Sequence, residues 1–167
     1  MKKNATKIPA NNNEINLYCF VGEAVFKVQM VEQALSYSIT LKMNPTETKE
    51  RADEFLQQNQ SYTLGKAIKI GIKEELYSLL LQDELKAFLQ QRNWLVHKTI
   101  IGNEEDFNAG NIKEELLNKI KDISDKAESI LHAIEYDLIE FCSSKGKDMS
   151  ETLALLNLQE QGIRIRK

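Results

Sequence analysis

An arginine, an asparagine and a histidine lie close together within residues 92–97 (RNWLVH), in a strongly apolar part of the chain. Arginine is always charged, and its planar fork of N–H donors matches phosphate oxygens, so Arg92 is suited to binding phosphate. Histidine is the residue type that exchanges protons near neutral pH, which suits His97 to proton transfer. The amide of Asn93 can donate a hydrogen bond to a phosphate oxygen or orient either neighbour. Together these side chains could bind a phosphodiester and move protons at it.

Such a set is suited to RNA cleavage without a metal ion. That reaction uses the 2′-hydroxyl as nucleophile, and it needs a proton acceptor, a proton donor and positive charge beside the developing phosphorane. In a helix, Arg92 and His97 are separated by about 140°, so they do not share a narrow face. Either the long arginine side chain reaches round, or a second copy of the helix completes the site across a two-fold interface.

A structural interpretation of the same residues stays open, because a helix with one Arg, one Asn and one His is often simply a packed helix. Leu95 and Val96 are expected to pack in the core. Trp94 is expected to anchor the core or a dimer interface rather than to stack on a base.

The composition predicts an all-α protein. The chain has 167 residues, 42% of them hydrophobic, with only 7 Gly and 2 Pro, which favours long helices in one domain. Apolar residues recur every three or four positions in two long stretches, as in amphipathic bundle helices. Asparagine, serine and glycine positions indicate where the helices begin and end. The predicted helices cover residues 15–42, 46–58, 64–71 after a cap at 61–63, 74–101 with a possible break at 82–83, and 112–144. A last short helix to residue 158 is predicted to be capped by Asp148 or Ser150.

Three segments follow from this pattern. Residues 1–13 are predicted to be a flexible N-terminal tail, residues 14–160 a single helical domain, and residues 161–167 a basic C-terminal tail. No apolar run approaches the ~18 residues of a membrane span, and we expect a cytoplasmic protein. Cys19 and Cys142 are too few and too far apart for a disulfide framework or a zinc cluster, so packing is the expected role of both.

Charge is distributed unevenly along the chain. The net charge is −3, which argues against a general nucleic-acid binder. Residues 61–100, however, contain six basic and four acidic side chains, whereas residues 101–145 contain five basic and eleven acidic ones. The segment that contains Arg92 and His97 is therefore the most plausible one to face an anion, although a solvated face has a similar balance. No glycine-rich phosphate loop or Cys/His metal spacing is present, so we expect no cofactor and no metal.

Residues 92–97 resemble the Arg-x4–6-His signature of the HEPN superfamily, including the polar residue that often follows the arginine. Residues 63–68 (TLGKAI) resemble the segment that commonly precedes this signature in bacterial members. The similarity covers roughly residues 15–145, and the six-residue motif is its most specific part. The resemblance implies an antiparallel HEPN-like helical bundle with two long helices, a motif helix and short accessory helices.

The same resemblance implies a homodimer that brings two Arg/His pairs together and, in many members, cuts RNA without metal as a toxin or in phage defence. Arg92 and His97 would then be catalytic, with Asn93 in support. A tyrosine two places after the histidine accepts nucleotides in one toxin–antitoxin branch, but Thr99 occupies that position here. An acidic residue of the first long helix sometimes supports the arginine, and either Glu23 or Glu32 could do so.

The sequence therefore predicts a metal-independent endoribonuclease with RNA as substrate and an antitoxin or regulatory protein as a possible partner. A non-catalytic HEPN-like module that binds RNA or protein is the alternative. A third interpretation is a helical interaction protein in which Arg92 and His97 satisfy a polar network at a dimer interface. His132 has no arginine at the matching distance, so we expect it to be structural or exposed.

Overall fold

The structure is a computed structural model that describes residues 9–44, 62–99 and 101–163, together with positions 48, 50, 51, 54 and 57. Every regular element in these residues is helical, which confirms the predicted all-α fold with two long helices. The tails at 1–8 and 164–167 and most of the predicted helix at 46–58 lie outside the described residues. The helices with described bounds are α1 (Asn12–Met43), α2 (Leu64–Lys73), α3 (Leu79–Lys98), α4 (Glu104–Asn108), α5 (Glu114–Ser144) and α6 (Ser150–Glu160).

The two long helices, α1 and α5, pack along their lengths and run in the same direction. Near the start of both, the side-chain amide of Asn11 donates to the Gly110 carbonyl at 2.8 Å. Fifteen or more residues further along each helix, the Lys27 ammonium reaches the Glu128 carboxylate at 2.8 Å. Because both residue numbers rise together, the pair is parallel.

The motif helix α3 runs antiparallel to both long helices. Just before it, the Tyr77 hydroxyl donates to the Ser38 hydroxyl at 2.9 Å, whereas near its end Arg92 pairs with Glu32. The partner number on α1 falls as the number on α3 rises, so the two helices run in opposite directions. The predicted antiparallel packing therefore holds between the motif helix and the long helices, but not between the long helices themselves.

Capping side chains set the helix starts. In α1, the Asn11 side chain accepts from the Glu14 amide at 2.9 Å while the Glu14 carboxylate accepts from the Asn11 amide at 2.7 Å, so both form a capping box. The helix thus begins two residues before the predicted onset of order at Glu14. Thr63 caps α2, as predicted, and Asp148 accepts from the Ser150 amide at 3.0 Å at the start of α6.

Two predicted boundaries are wrong. There is no break at 82–83, because α3 is continuous from Ser78, its N-cap. Gln82 is buried there and donates to the Tyr77 carbonyl at 2.8 Å, which satisfies a backbone acceptor outside the helix. The chain turns earlier, where Glu75 has a left-handed φ of 52°. The predicted loop at 102–110 instead contains a 3₁₀ turn, Ile101–Asn103, and helix α4.

One hydrophobic core lies between α1, α2, α3 and α5. Leu95 of the motif helix is 3% exposed and packs in it, as predicted. The prediction for Val96 is wrong, since this side chain is 47% exposed. One helical step turns it about 100° from Leu95, away from both long helices. Other large core side chains that are fully buried include Leu35, Ile39, Leu85, Phe88, Ile120 and Ile130.

Gly71 was predicted to end α2, but it lies inside the helix, which continues to Lys73. A Cβ at this position would meet two carbons of the Tyr77 ring at 2.8 and 2.9 Å. Tyr77 is 6% exposed and is held by its hydrogen bond to Ser38, so the ring has little room to move. Glycine is therefore required here by a close approach between the helix and the ring rather than by the backbone angle.

Gly71→Ala is expected to destabilise the protein by about 1–3 kcal/mol, because the added methyl overpacks this contact. Gly65→Ala, in the same helix, is the matched control. Its Cβ would meet only Leu89 methyl groups at 3.7 Å, so it should be neutral or stabilising by up to ~1 kcal/mol. Chemical denaturation of both variants measures the difference, and equal stabilities would contradict this account of Gly71.

Within the described residues, each helix is too short or too polar to cross a membrane. Both cysteines are free thiols. Cys142 is buried, in agreement with the expected packing role, whereas Cys19 is exposed on α1, so the prediction is wrong for Cys19.

Candidate functional site

Arg92 points from α3 towards α1 and forms an ion pair with Glu32. Its Nη2 lies 3.3 Å from Glu32 Oε1, and the two side chains are only 24% and 22% exposed. Arg92 Nε and Glu32 Oε1 are both enclosed, and neither has a hydrogen-bond partner among the described residues. The contact is therefore an ion pair without the alignment of a hydrogen bond, and the guanidinium keeps an uncommitted N–H donor.

The structure distinguishes between the two acidic residues that the sequence left open. Glu23 lies with Lys27, at 3.0 Å, and accepts a hydrogen bond from the Ser124 hydroxyl at 3.3 Å. It is thus part of the contact between α1 and α5. Glu32 is the carboxylate on α1 that supports Arg92.

His97 and Asn93 lie on the solvent side of α3. Both are exposed, and a spacing of four residues places them about 40° apart on the same face. No hydrogen bond or ion pair joins either of them to Arg92 within the described ranges. The structure therefore brings Asn93 and His97 to one face and holds the guanidinium of Arg92 on the side that faces α1.

Two apolar residues of the motif, Trp94 and Leu95, hold the helix against the core. Trp94 is half-buried against the core, with the Lys119 ammonium 3.7 Å from its ring centroid, so it anchors α3 on α5. Beyond the motif, Thr99 is buried, and its hydroxyl donates to the Leu95 carbonyl at 2.7 Å. Packing of Trp94 and Leu95 thus determines the rotation of α3, which in turn exposes His97.

His132 belongs to a separate cluster that attaches α6 to α5. Its Nδ1 lies 3.0 Å from Glu160 Oε1, and the Tyr136 hydroxyl donates to the same oxygen at 3.0 Å. These two hydrogen bonds hold the pKa of Glu160 below its usual range. The structural role expected for His132 agrees with these contacts.

A groove beside the arginine pair was not predicted. It has a volume of about 830 Å³ and lies between α1 and α5, with Tyr62 at one side, and we call it the α1–α5 groove. Glu32 lines it, so the carboxylate that holds Arg92 also faces this space. Gln29 and Gln33 line it as well. Gln29 lies three residues before Glu32 and four before Gln33, a helical spacing that is a sequence signal for a polar face on α1.

Glu135 on α5 is the other acidic side chain of the groove. Burial raises the pKa of its carboxyl group, His132 opposes this effect, and the nearby Glu160 adds to it. Within the part of the chain that the structure describes, neither oxygen of Glu135 has a hydrogen-bond or ion-pair partner. A partly buried carboxylate without a partner is energetically unfavourable unless a ligand or solvent satisfies it.

The structure thus defines an all-helical protein with an enclosed Arg–Glu pair, an exposed histidine on the same helix and an adjoining polar groove. Among the described residues, no three His, Cys, Asp or Glu side chains are grouped so that they could hold a metal ion. Comparison of the chain with protein-family models, with curated proteins and with solved structures finds no match in any of the three.

Proposed function

We propose that the protein is a metal-independent endoribonuclease of HEPN type, acting as a toxin or phage-defence effector in the cytoplasm. The single observation that carries this proposal is the environment of Arg92, whose guanidinium is held by Glu32 at 3.3 Å while the side chain stays 24% exposed and so reachable from solvent. A preorganised cation with free donor capacity is suited to stabilise negative charge that develops on phosphate. The Arg-x4-His spacing supports the same assignment through its resemblance to the HEPN signature.

In the proposed reaction, the 2′-oxygen of the RNA attacks the adjacent phosphorus, and the bond from phosphorus to the 5′-oxygen breaks. His97 accepts the proton of the 2′-hydroxyl, and a second imidazole donates a proton to the departing 5′-oxygen. Arg92 binds the non-bridging oxygens, and Asn93 orients the phosphate. The products are a 2′,3′-cyclic phosphate and a 5′-hydroxyl.

A second copy of the chain would supply the second imidazole. Arg92 and His97 are about 140° apart around α3, so one protomer does not direct both groups at one phosphate. The Arg92 side chain is 24% exposed, so a two-fold interface that covers this edge of α3 together with its exposed face would bring His97 of one copy towards Arg92 of the other. This is why we include a homodimer in the proposal, with an antitoxin or regulatory protein as the partner that restrains it.

The test is RNA cleavage by the purified full chain in excess EDTA. We expect cleavage to persist and the fragments to carry 2′,3′-cyclic phosphate and 5′-hydroxyl ends, which enzymatic end-labelling and mass spectrometry distinguish from other ends. Cleavage that stops with EDTA and returns with a divalent metal ion would contradict the proposed mechanism.

The exposed imidazole of His97, which no described side chain orients, favours one second candidate. The protein could be a non-catalytic module that binds RNA or a partner protein at the same surface. Retention of RNA in a gel-shift assay, with intact RNA recovered afterwards, would identify this function instead.

A further inference from the structure

We propose that the α1–α5 groove is a binding site for an unpaired guanine base. Its volume of about 830 Å³ falls within the ~300–1,000 Å³ that is common for small-molecule sites. Its walls combine apolar side chains, including Met30 and Leu131, with amides, phenols and two carboxylates. The site therefore offers both the apolar surface and the small number of polar groups by which proteins recognise a base.

The carboxylates determine which polar groups the ligand must carry. Glu135 lines the groove and has no hydrogen-bond or ion-pair partner in the described ranges, and Glu32, which holds Arg92 through Oε1, lines the same groove. An ionised carboxylate can only accept hydrogen bonds. A ligand that satisfies this groove must consequently present N–H or O–H donors to its walls.

The surrounding charges favour a neutral donor over a cation. Arg92 lies behind Glu32 at 3.3 Å, and the Lys66 ammonium lies 4.4 Å from the centroid of the Tyr62 ring at the edge of the groove. These two positive charges offset the two carboxylates, so an amine gains little net attraction. The carboxylates themselves disfavour an anionic phosphate inside the groove.

Guanine meets these requirements better than the other bases. Its N1–H and 2-amino group are adjacent donors on one edge and match the two oxygens of a carboxylate such as Glu135. Adenine and cytosine instead place an acceptor beside their donor. The Gln29 and Gln33 amides can bond the remaining edge, and Tyr37 and Tyr62 contribute ring surface to the walls.

The position of the groove connects the base site with the proposed reaction, and this connection rests on the function proposed above. Glu32 faces the groove and also holds Arg92, so a guanine in the groove would place the backbone of the same RNA strand near the guanidinium. Cleavage sites are then expected to lie next to unpaired guanines.

Calorimetric titration of the full chain with guanosine, inosine and adenosine tests the site without requiring catalysis. We expect saturable binding of guanosine, weaker binding of inosine, which lacks the 2-amino group, and the weakest binding of adenosine. Glu135→Gln should weaken guanosine binding by at least about tenfold, because it removes a charge-assisted pair of hydrogen bonds. Glu140→Gln, an exposed position on the same helix outside the groove, should leave the affinity unchanged.

Three results would overturn the base site: no saturable binding of guanosine, equal binding of guanosine and adenosine, or equal effects of the two glutamine variants. Tight binding of spermidine that depends on Glu135, without binding of guanosine, would identify a cation site instead. Guanosine binding in a protein that cleaves no RNA would refute the nuclease and leave the base site standing. RNA cleavage without guanosine binding would refute the base site and leave the nuclease standing.

Discussion

His97→Ala is expected to slow RNA cleavage by about 10²–10⁴-fold, the range that a general acid or base commonly contributes. The imidazole is the proposed proton acceptor, and alanine cannot replace it. Because His97 is exposed and no described contact depends on it, the variant should retain its helical content and melting temperature. Single-turnover cleavage of a labelled RNA, with circular dichroism of the same samples, measures both quantities.

His132→Ala is the matched control, because it removes the other histidine of the chain. That side chain contacts Glu160 and belongs to the attachment of α6, so we expect cleavage near the wild-type rate. Loss of cleavage in both variants would indicate a shared structural cause and would contradict the assignment of His97. An unchanged cleavage rate in His97→Ala would also contradict the assignment of His97.

Arg92→Ala is a less direct test than His97→Ala, although it should also abolish cleavage. Removal of the guanidinium leaves Glu32 enclosed beside α3 without its cation, and a buried charge without a partner is destabilising. Lost activity could then reflect an altered fold. Combining Arg92→Gln with Glu32→Gln removes both charges together, so its stability shows how much of the Arg92→Ala effect belongs to the unpaired carboxylate.

The sequence predicted the helices well where a local signal fixes them. Thr63 caps α2 as predicted, and the three- and four-residue spacing of apolar residues located both long helices. The N-cap of α6 is Met149, and Asp148 accepts from the Ser150 amide from one residue further back. The pattern failed where a contact with a residue outside the helix decides whether the helix continues. Gly71 is set by the Tyr77 ring, and Gln82 stays helical because its side chain bonds a backbone carbonyl in the preceding turn. Periodicity within one segment contains no information about such neighbours.

The candidate site was predictable only in part, for the same reason. Residue types and spacing, which are local properties, are enough to nominate Arg92, Asn93 and His97 as candidates. Whether Glu23 or Glu32 supports the arginine depends on how α3 crosses α1, which no local pattern specifies. Glu135 could not be singled out, because its lack of a partner becomes visible only when α1 and α5 are placed side by side.

An enclosed lysine forms several polar contacts at the far end of α1. The Lys42 side chain is 6% exposed, pairs with the Asp137 carboxylate and donates to the Leu76 carbonyl at 2.8 Å. Its ammonium also lies 4.5 Å from the centroid of the Tyr77 ring. One buried cation thereby joins α1, α5 and the turn that precedes the motif helix, so it helps to set where α3 begins.

Lys42→Ala is therefore expected to destabilise the protein by about 1–3 kcal/mol, because the enclosed Leu76 carbonyl loses its donor and Asp137, which is 27% exposed, recovers its hydration only in part. Asp137 would keep its charge without a cation, and the Leu76 carbonyl would lose its donor. At about 2–4 °C per kcal/mol for a chain of this size, the melting temperature should fall by roughly 2–12 °C. Calorimetry or thermal circular dichroism measures the shift.

Lys27→Ala is the comparison that separates burial from ion pairing as such. Lys27 lies on the same helix and contacts two carboxylates, but Glu23 and Glu128 are 54% and 56% exposed, so water can replace the lysine. We expect a loss of no more than about 1 kcal/mol. Equal losses in the two alanine variants would mean that enclosure of Lys42 contributes nothing. If enclosure is the cause, the double variant Lys42→Met with Asp137→Leu should recover most of the lost stability, because the enclosed ammonium and its partner carboxylate are then removed together.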